Sequence, residues 1–273
     1  MRLVFLAFLL SAIRTVIGYD WVNGNLTLYH SESAYCSPDS YLTRILKEPL
    51  DGFVPTYTIL DGAHDTHGYI GYQPNKEAIT VVYRGSESID NWLSDLDAVL
   101  TTYPLCDGCE VHKGFYTAEQ TVLPGVEKEV LRLQTIYPDF GVFVTGHSLG
   151  AALATLTAAD LSVAGVKNLQ LFNYGSPRVG NTAFANFYPT VVPKRNRVTH
   201  HKDIVPHCPM HERFTHISGE YYEATDAVSV VACQGNEDPK CSYQWHITSI
   251  SDHMYYLGLN MGEGAEECSQ VVV

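Results

Sequence analysis

Apolar and β-branched residues gather in short runs at Ile79 to Tyr83, Val142 to Thr145, Leu169 to Tyr174 and Val198 to Thr199. Short runs of this kind between turn residues read as buried strands. Helical spacing fills the intervals. One helix is predicted over Thr117 to Tyr137, with Val126, Val130, Leu131 and Leu133 among its apolar positions; Pro124-Gly125 either starts its regular part or kinks it. A second is predicted from Leu149 to about Val163, where Ala151, Ala152, Ala154, Ala158 and Ala159 allow close packing on a sheet. Strands alternating with helices predict a parallel-rich sheet flanked by helices. No repeat, low-complexity tract or linker-like boundary interrupts the pattern, so one domain is the simplest organisation.

A third helical pattern lies earlier. Ile89, Trp92, Leu93 and Leu96 fall at i, i+3, i+4 and i+7, while Asp90, Asn91, Ser94, Asp95 and Asp97 lie mostly on the other side. This predicts an amphipathic helix of about ten residues. By pattern alone it is a surface helix docked on a core.

The first residues change the picture of where the chain works. Met1-Arg2 is followed by the apolar run Leu3 to Leu10, which ends at small residues near Val16-Ile17-Gly18. That is the form of a secretory signal peptide, shorter than the ~20 apolar residues a membrane-spanning helix needs. Cleavage after Gly18 leaves residues 19–273 as one domain. The formal charge of −13 argues against nucleic acid and anionic lipid as partners. Asn25-Leu26-Thr27 is a glycosylation sequon, with Asn25 as the acceptor. A monomer is the default expectation.

Seven cysteines in a secreted chain make three disulfides and one spare thiol. Cys106-Asp107-Gly108-Cys109 has the spacing of a loop staple, a redox pair or half a zinc site; the staple fits best, because no second Cys-x-x-Cys follows. Cys233 and Cys241 bracket a turn, Cys36 and Cys268 stand near the two ends, and Cys208 is left over as a small buried side chain.

Candidate chemistry centres on Gly146-His147-Ser148-Leu149-Gly150, a Gly-x-Ser-x-Gly pentad between a predicted strand and a predicted helix. A serine there turns so sharply that its neighbours two positions away need almost no side chain. The helix starting at Leu149 aims its free N–H groups where negative charge develops in acyl transfer. A serine nucleophile needs a base and a group to orient it, in the order Ser, Asp or Glu, His. Asp203, just beyond a strand, and His253, late in the chain, stand out by context.

These residues carry a resemblance over nearly the whole chain after Gly18. The sequence resembles the fungal extracellular triacylglycerol lipases of class 3, of the Rhizomucor and Thermomyces type, whose relatives include feruloyl esterases. The matching segments are Val82-Tyr83-Arg84-Gly85-Ser86, Ile89 to Leu93, Val111 to Phe115, the pentad, Gly175 to Asn181, Asp203-Ile204-Val205-Pro206 and Asp252 to Gly258. The resemblance implies a single-domain α/β-hydrolase fold with an amphipathic lid, about residues 86–98, over the active site. It places Ser148, Asp203 and His253 in a triad and assigns the oxyanion hole to Ser86 and the N–H of Leu149. It pairs Cys36 with Cys268 and Cys233 with Cys241, while Cys106 with Cys109 matches only some members. The chain departs from the pattern at Ala151, where many of the lipases have glycine, and at Cys208, which replaces an apolar residue.

The segment after Ser86 bears on the substrate. The esterase branch is more polar there, so Ile89, Trp92, Leu93 and Leu96 favour a lipase acting at a lipid–water interface; closed, the lid is expected to bury Trp92 and Leu93 over the serine. The resemblance also pairs Arg84 with Asp95 when the lid opens. A feruloyl or short-chain esterase, or a phospholipase A1, is the alternative, and a catalytically silent lipid or carbohydrate binder a more distant one. His200, His201, His207, Cys208 and His211 form the densest cluster of metal-ligand types, but Pro206 and Pro209 prevent a helical histidine pair, so no metal is assigned. No cofactor is called for. His112 and His216 are read as structural hydrogen-bonding groups.

Overall fold

The computed structural model of the protein describes residues 18–36, 48–225 and 229–261. Its elements in chain order are α1 (Trp21–Ser33), β1 (Val54–Asp61), β2 (Thr66–Gln73), β3 (Ala78–Tyr83), α2 (Ile89–Asp95), β4 (Leu100–Thr102), β5 (Glu110–His112), α3 (Lys113–Ile136), β6 (Gly141–His147), α4 (Leu149–Val163), β7 (Leu169–Tyr174), α5 (Thr182–Val191), β8 (Arg195–His200), β9 (Glu220–Glu223), β10 (Val230–Ala232), β11 (Tyr255–Tyr256) and β12 (Leu259–Asn260). Eight strands form one sheet in the order β1-β2-β3-β6-β7-β8-β9-β10. Neighbours from β3 to β9 run parallel, and antiparallel strands complete both edges. The expected parallel-rich sheet flanked by helices is therefore observed.

The sheet is central because both its faces are covered. Ile79, Val81, Tyr83, Val142, Val144 and Leu171 point to one side and pack with α3, α4 and α5. Their alternating neighbours Ala78, Phe143, Phe172 and Tyr174 point to the other and pack with Leu26 and Leu28 of α1. All six residues of β3 are buried, which is why it reads in sequence as an unbroken apolar run. The alanines of α4 are buried as expected.

Several boundaries differ from the sequence pattern. Helix α3 starts at Lys113, ahead of Thr117, because His112 caps it by accepting the Phe115 N–H at 3.3 Å, and it runs on through Pro124. Helix α2 has seven residues rather than about ten, and Leu96 beyond it is extended. Asp95 in its last turn opposes the helix dipole, and no basic residue there compensates.

Cys106–Cys109 closes the turn between β4 and β5, and Cys233–Cys241 the loop after β10. Cys208 is free and buried. Cys268, and with it the expected Cys36–Cys268 pairing, lies outside the described residues, as do residues 1–17 of the expected leader. Among the described residues no helix is long and apolar enough to cross a membrane.

Candidate active site

Ser148 bridges β6 and α4 at φ 59°, ψ −129°. L residues with a β-carbon rarely hold such a conformation, and it costs of order 1–3 kcal/mol. The flanking glycines permit it. A β-carbon on Gly146 would stand 2.5 Å from the Gly150 carbonyl, and one on Gly150 would stand 2.8 Å from the Arg84 carbonyl. The turn leaves Ser148 Oγ buried and without a protein hydrogen-bond partner. Leu149 is the first residue of α4, so its N–H is one that a helix cannot satisfy internally.

Asp203 follows β8. Its Oδ1 accepts the Val205 N–H at 2.8 Å, and its Oδ2 faces His253 Nδ1 at 2.8 Å. A carboxylate accepts, so Nδ1 carries the proton; in the neutral ring Nε2 then keeps its lone pair. Nε2 is buried without a protein partner, like Ser148 Oγ, and Ser148 and His253 line one cleft of about 480 Å³. A hydroxyl, a histidine with a free ring nitrogen and an orienting carboxylate are the parts that general-base activation of a nucleophile requires.

The loop carrying His253 is fastened to the end of β8 by two histidines of the cluster noted in the sequence. His200 Nδ1 donates to the Asp252 carbonyl at 2.9 Å, and His201 Nδ1 pairs with the Asp252 carboxylate at 2.7 Å. His216 Nε2 donates to the Pro206 carbonyl at 2.6 Å. Among the described residues, Glu220, Cys233 and Cys241 group as three potential metal ligands, but the two sulfurs are bonded to each other.

Two contributors escaped the sequence reading. The hydroxyl of Tyr256 donates to Asp203 Oδ2, and burial, then the Asp203 charge, pushes this phenol far above its ordinary range. Gly175, at φ +60°, lies where a β-carbon would come within 2.9 Å of His253 Cε1 and 3.0 Å of Asp203 Oδ2. Both residues sit inside motifs quoted above, but neither is an ionisable group of the kind a triad search looks for.

Ser86 lines the same cleft, with Glu87, Ser88, Ile89 and Asp90 from the segment leading into α2. The amphipathic pattern of α2 is realised: Ile89, Trp92, Leu93 and Leu96 are half-buried, and Asp90, Asn91, Ser94, Asp95 and Asp97 are exposed. The expectation that Trp92 and Leu93 cover the serine needs correction. Ile89 is the large apolar residue of α2 that lines the cleft, whereas Trp92 stacks on Phe115 with centroids 6.4 Å apart. Phe115 is part of the main core, so burying the indole there removes more apolar surface from water than laying it across a partly polar cleft. Arg84 is buried and donates to Asp65 at 2.9 Å and Glu87 at 2.8 Å. Asn25 is exposed on α1, while Thr27 of the same sequon is buried.

A family model described as lipase (class 3) matches residues 80–213. The chain is 38% identical over 208 residues to a lipase of Rhizomucor miehei, a match spanning 73% of this chain and 57% of that protein. It is 40% identical over 159 residues to the secreted mono- and diacylglycerol lipase A of Penicillium cyclopium, spanning 58% and 52%. The chain thus spans little more than half the length of these relatives. The structure of Rhizomucor miehei triacylglyceride lipase superposes with a TM-score of 0.83 at 33% identity, covering 90% of this chain and 98% of that one. A triacylglycerol lipase whose catalytic centre is a serine-protease triad superposes equally well, at 0.83 and 33%. With the fold and nearly all of a solved relative covered, the chain belongs to the class 3 lipase family.

Proposed function

We propose that this chain is a secreted carboxylic ester hydrolase acting on lipid esters, a triacylglycerol lipase in the first instance. The observation that carries this reading is the 2.8 Å contact of His253 Nδ1 with Asp203, on a ring whose other nitrogen has no protein partner and which lines the same cleft as Ser148. In this mechanism His253 takes the Ser148 proton, Ser148 attacks the ester carbonyl, and Ser86 and the Leu149 N–H hold the oxyanion. The protonated histidine then releases the alcohol, and water repeats the sequence on the acyl-enzyme. Each oxyanion donor is worth roughly 10²–10³ in turnover. No cofactor takes part.

Residues 86–98 act as the lid. Support comes from the half-buried apolar stripe of α2 and from the cleft it shares with Ser148. Closed, Arg84 is held by Asp65 and Glu87; opening transfers it to Asp95 and presents Ile89, Trp92 and Leu93 to a neutral or zwitterionic lipid surface. Secretion accords with the leader, the sequon at Asn25 and the disulfides, and the enzyme works as a monomer without nucleic acid or metal.

Hydrolysis of nitrophenyl esters by the wild type and its loss in Ser148→Ala test the reaction. A chain-length series assayed below and above each ester's solubility limit tests the substrate: a rise in rate at the interface marks a lipase. A smooth profile favouring short or aromatic acyl groups marks an esterase, and preference for phospholipid vesicles a phospholipase A1.

A further inference from the structure

His147, between Gly146 and Ser148, packs on the face of the His253 ring, whose Nδ1 edge Asp203 holds. The two imidazoles stack with centroids 4.3 Å apart and planes 28° from parallel. His147 Nε2 also lies 2.9 Å from the main-chain carbonyl of His253. A carbonyl only accepts, so Nε2 carries the proton. On the other side, Nδ1 is 2.6 Å from the hydroxyl of Tyr35; in the neutral ring it accepts, and the phenol donates. The phenol oxygen also lies against the backbone of Gly85, the residue before Ser86. A β-carbon on Gly85 would strike the Tyr35 hydroxyl and stand 2.8 Å from the His147 carbonyl oxygen and 3.0 Å from Ser148 Cβ. The glycine is therefore what lets these three segments close on one another. Burial keeps His147 well below the usual histidine range and Tyr35 above the usual phenol range. Each group keeps the proton position that the geometry gives it.

The geometry points to Tyr35 as a positioning residue for the proposed reaction: through His147 it fixes the ring plane and backbone of His253, and through Gly85 it fixes the strand end that carries Ser86. This rests on the roles given above to Ser148, Asp203, His253 and Ser86. The physical need is plain. His253 must aim Nε2 first at the serine and then at the leaving oxygen, and a misplacement of about 1 Å costs on the order of a hundredfold in rate. Asp203 holds one edge of the ring; a hinge needs a second restraint. The stacked, singly protonated His147 supplies it without placing a second positive charge beside the imidazolium that forms in the reaction. Tyr35 secures that state by occupying the only other nitrogen where His147 could take a proton. The same hydroxyl couples general base and oxyanion donor, two parts that the chain brings from opposite ends.

Tyr35→Phe keeps the ring that lines the cleft and removes only the hydroxyl. On a soluble nitrophenyl ester it is expected to lower kcat about tenfold to a hundredfold with KM within about twofold. His147→Gln keeps one donor and one acceptor but loses the stack, and is expected to fall by a similar factor. The double variant is expected to lose much less than the product of the two, because both act through one chain of contacts. Thermal scans separate these losses from unfolding. Independently of activity, spectra of the full chain with 15N-labelled histidine are expected to show His147 as the Nε2–H tautomer at neutral pH, and in Tyr35→Phe a shifted Nδ1 resonance, because that nitrogen loses its hydrogen-bond donor. An unchanged kcat in folded Tyr35→Phe, fully multiplicative losses, or a wild-type His147 that is charged or Nδ1-protonated at pH 7 each overturns the assignment. An active Ser148→Ala instead overturns the reading of the site on which it rests, so the two failures are told apart.

Discussion

His253 and Asp203 face each other at 2.8 Å with both side chains only 1% exposed. Water cannot compete for this contact, so the carboxylate alone decides which ring nitrogen carries the proton. Asp203→Asn keeps the shape but can present an amide N–H to Nδ1, which moves the proton to Nε2 and removes the base. The expected loss in kcat is roughly 10⁴, with the fold retained in circular dichroism. A loss below tenfold would show that the contact is structural only.

Gly175 sets how closely that pair can be held. Gly175→Ala places a methyl group 2.9 Å from His253 Cε1 at a backbone φ of +60°. The left-handed conformation costs about 1–2 kcal/mol for a residue with a β-carbon, and the clash pushes the imidazole off its line. Melting temperature is expected to fall by several degrees and kcat by more than tenfold. Retention of full kcat in a destabilised protein would place Gly175 in the fold but not in the chemistry.

A buried acid pair away from the cleft makes stability depend on pH. Gln120 Nε2 donates to Glu119 at 3.0 Å and to Asp160 at 3.1 Å, and Thr157 and Tyr103 donate to the same two carboxyls. Burial, then the charge of Asp160, pushes Glu119 up to about 8 from 4.5. The folded state therefore keeps a proton that the unfolded chain releases. This contribution is complete below pH 4.5 and declines as pH rises toward 8, by about 1.4 kcal/mol per pH unit at most. Glu119→Gln, which holds the equivalent of that proton at every pH, is expected to melt near the wild type at pH 5 and above it at pH 9. Parallel melting curves across this range would remove Glu119 as the cause.

The same physics explains what could be read in the chain and what could not. Strand β3 was plain because both its faces are covered by apolar partners. Helix α1 gave no apolar stripe because its buried side mixes Leu26 and Leu28 with polar residues: Thr27 meets Tyr174 at 2.9 Å, His30 meets Tyr69 at 2.9 Å and Ser31 meets Thr145 at 2.8 Å. Helix α5 and the strands β1, β2, β9 and β10 were not anticipated either. In β2, Gly68 and Gly71 stand where a side chain would collide with the Val82 and Val54 carbonyls, so close backbone approach erased the β-branched signal. At the site, Ser148 announces itself because the elbow constrains adjacent positions. Tyr256 and Tyr35 do not, since their partners Asp203 and His147 lie 53 and 112 residues away along the chain. Local spacing reports local strain; contacts closed through the fold need the fold.

The buried guanidinium of Arg84 gives a way to separate lid movement from chemistry. In this structure its partners are Asp65 and Glu87, both largely exposed, while Asp95 stands exposed at the end of α2. If opening exchanges Glu87 for Asp95, variants on the two sides must act in opposite directions, because each removes the Arg84 contact of one state only. Glu87→Gln is expected to raise the rate on esters below their solubility limit, bringing it toward the emulsion rate. Asp95→Ala is expected to lower the emulsion rate severalfold while sparing soluble esters. The quantity to measure is the ratio of emulsion to monomer rates: it should fall in both variants, by a rising denominator in the first and a falling numerator in the second. Equal losses on both substrates in Asp95→Ala, or no gain on monomers in Glu87→Gln, would mean that Arg84 anchors the segment without choosing between its states.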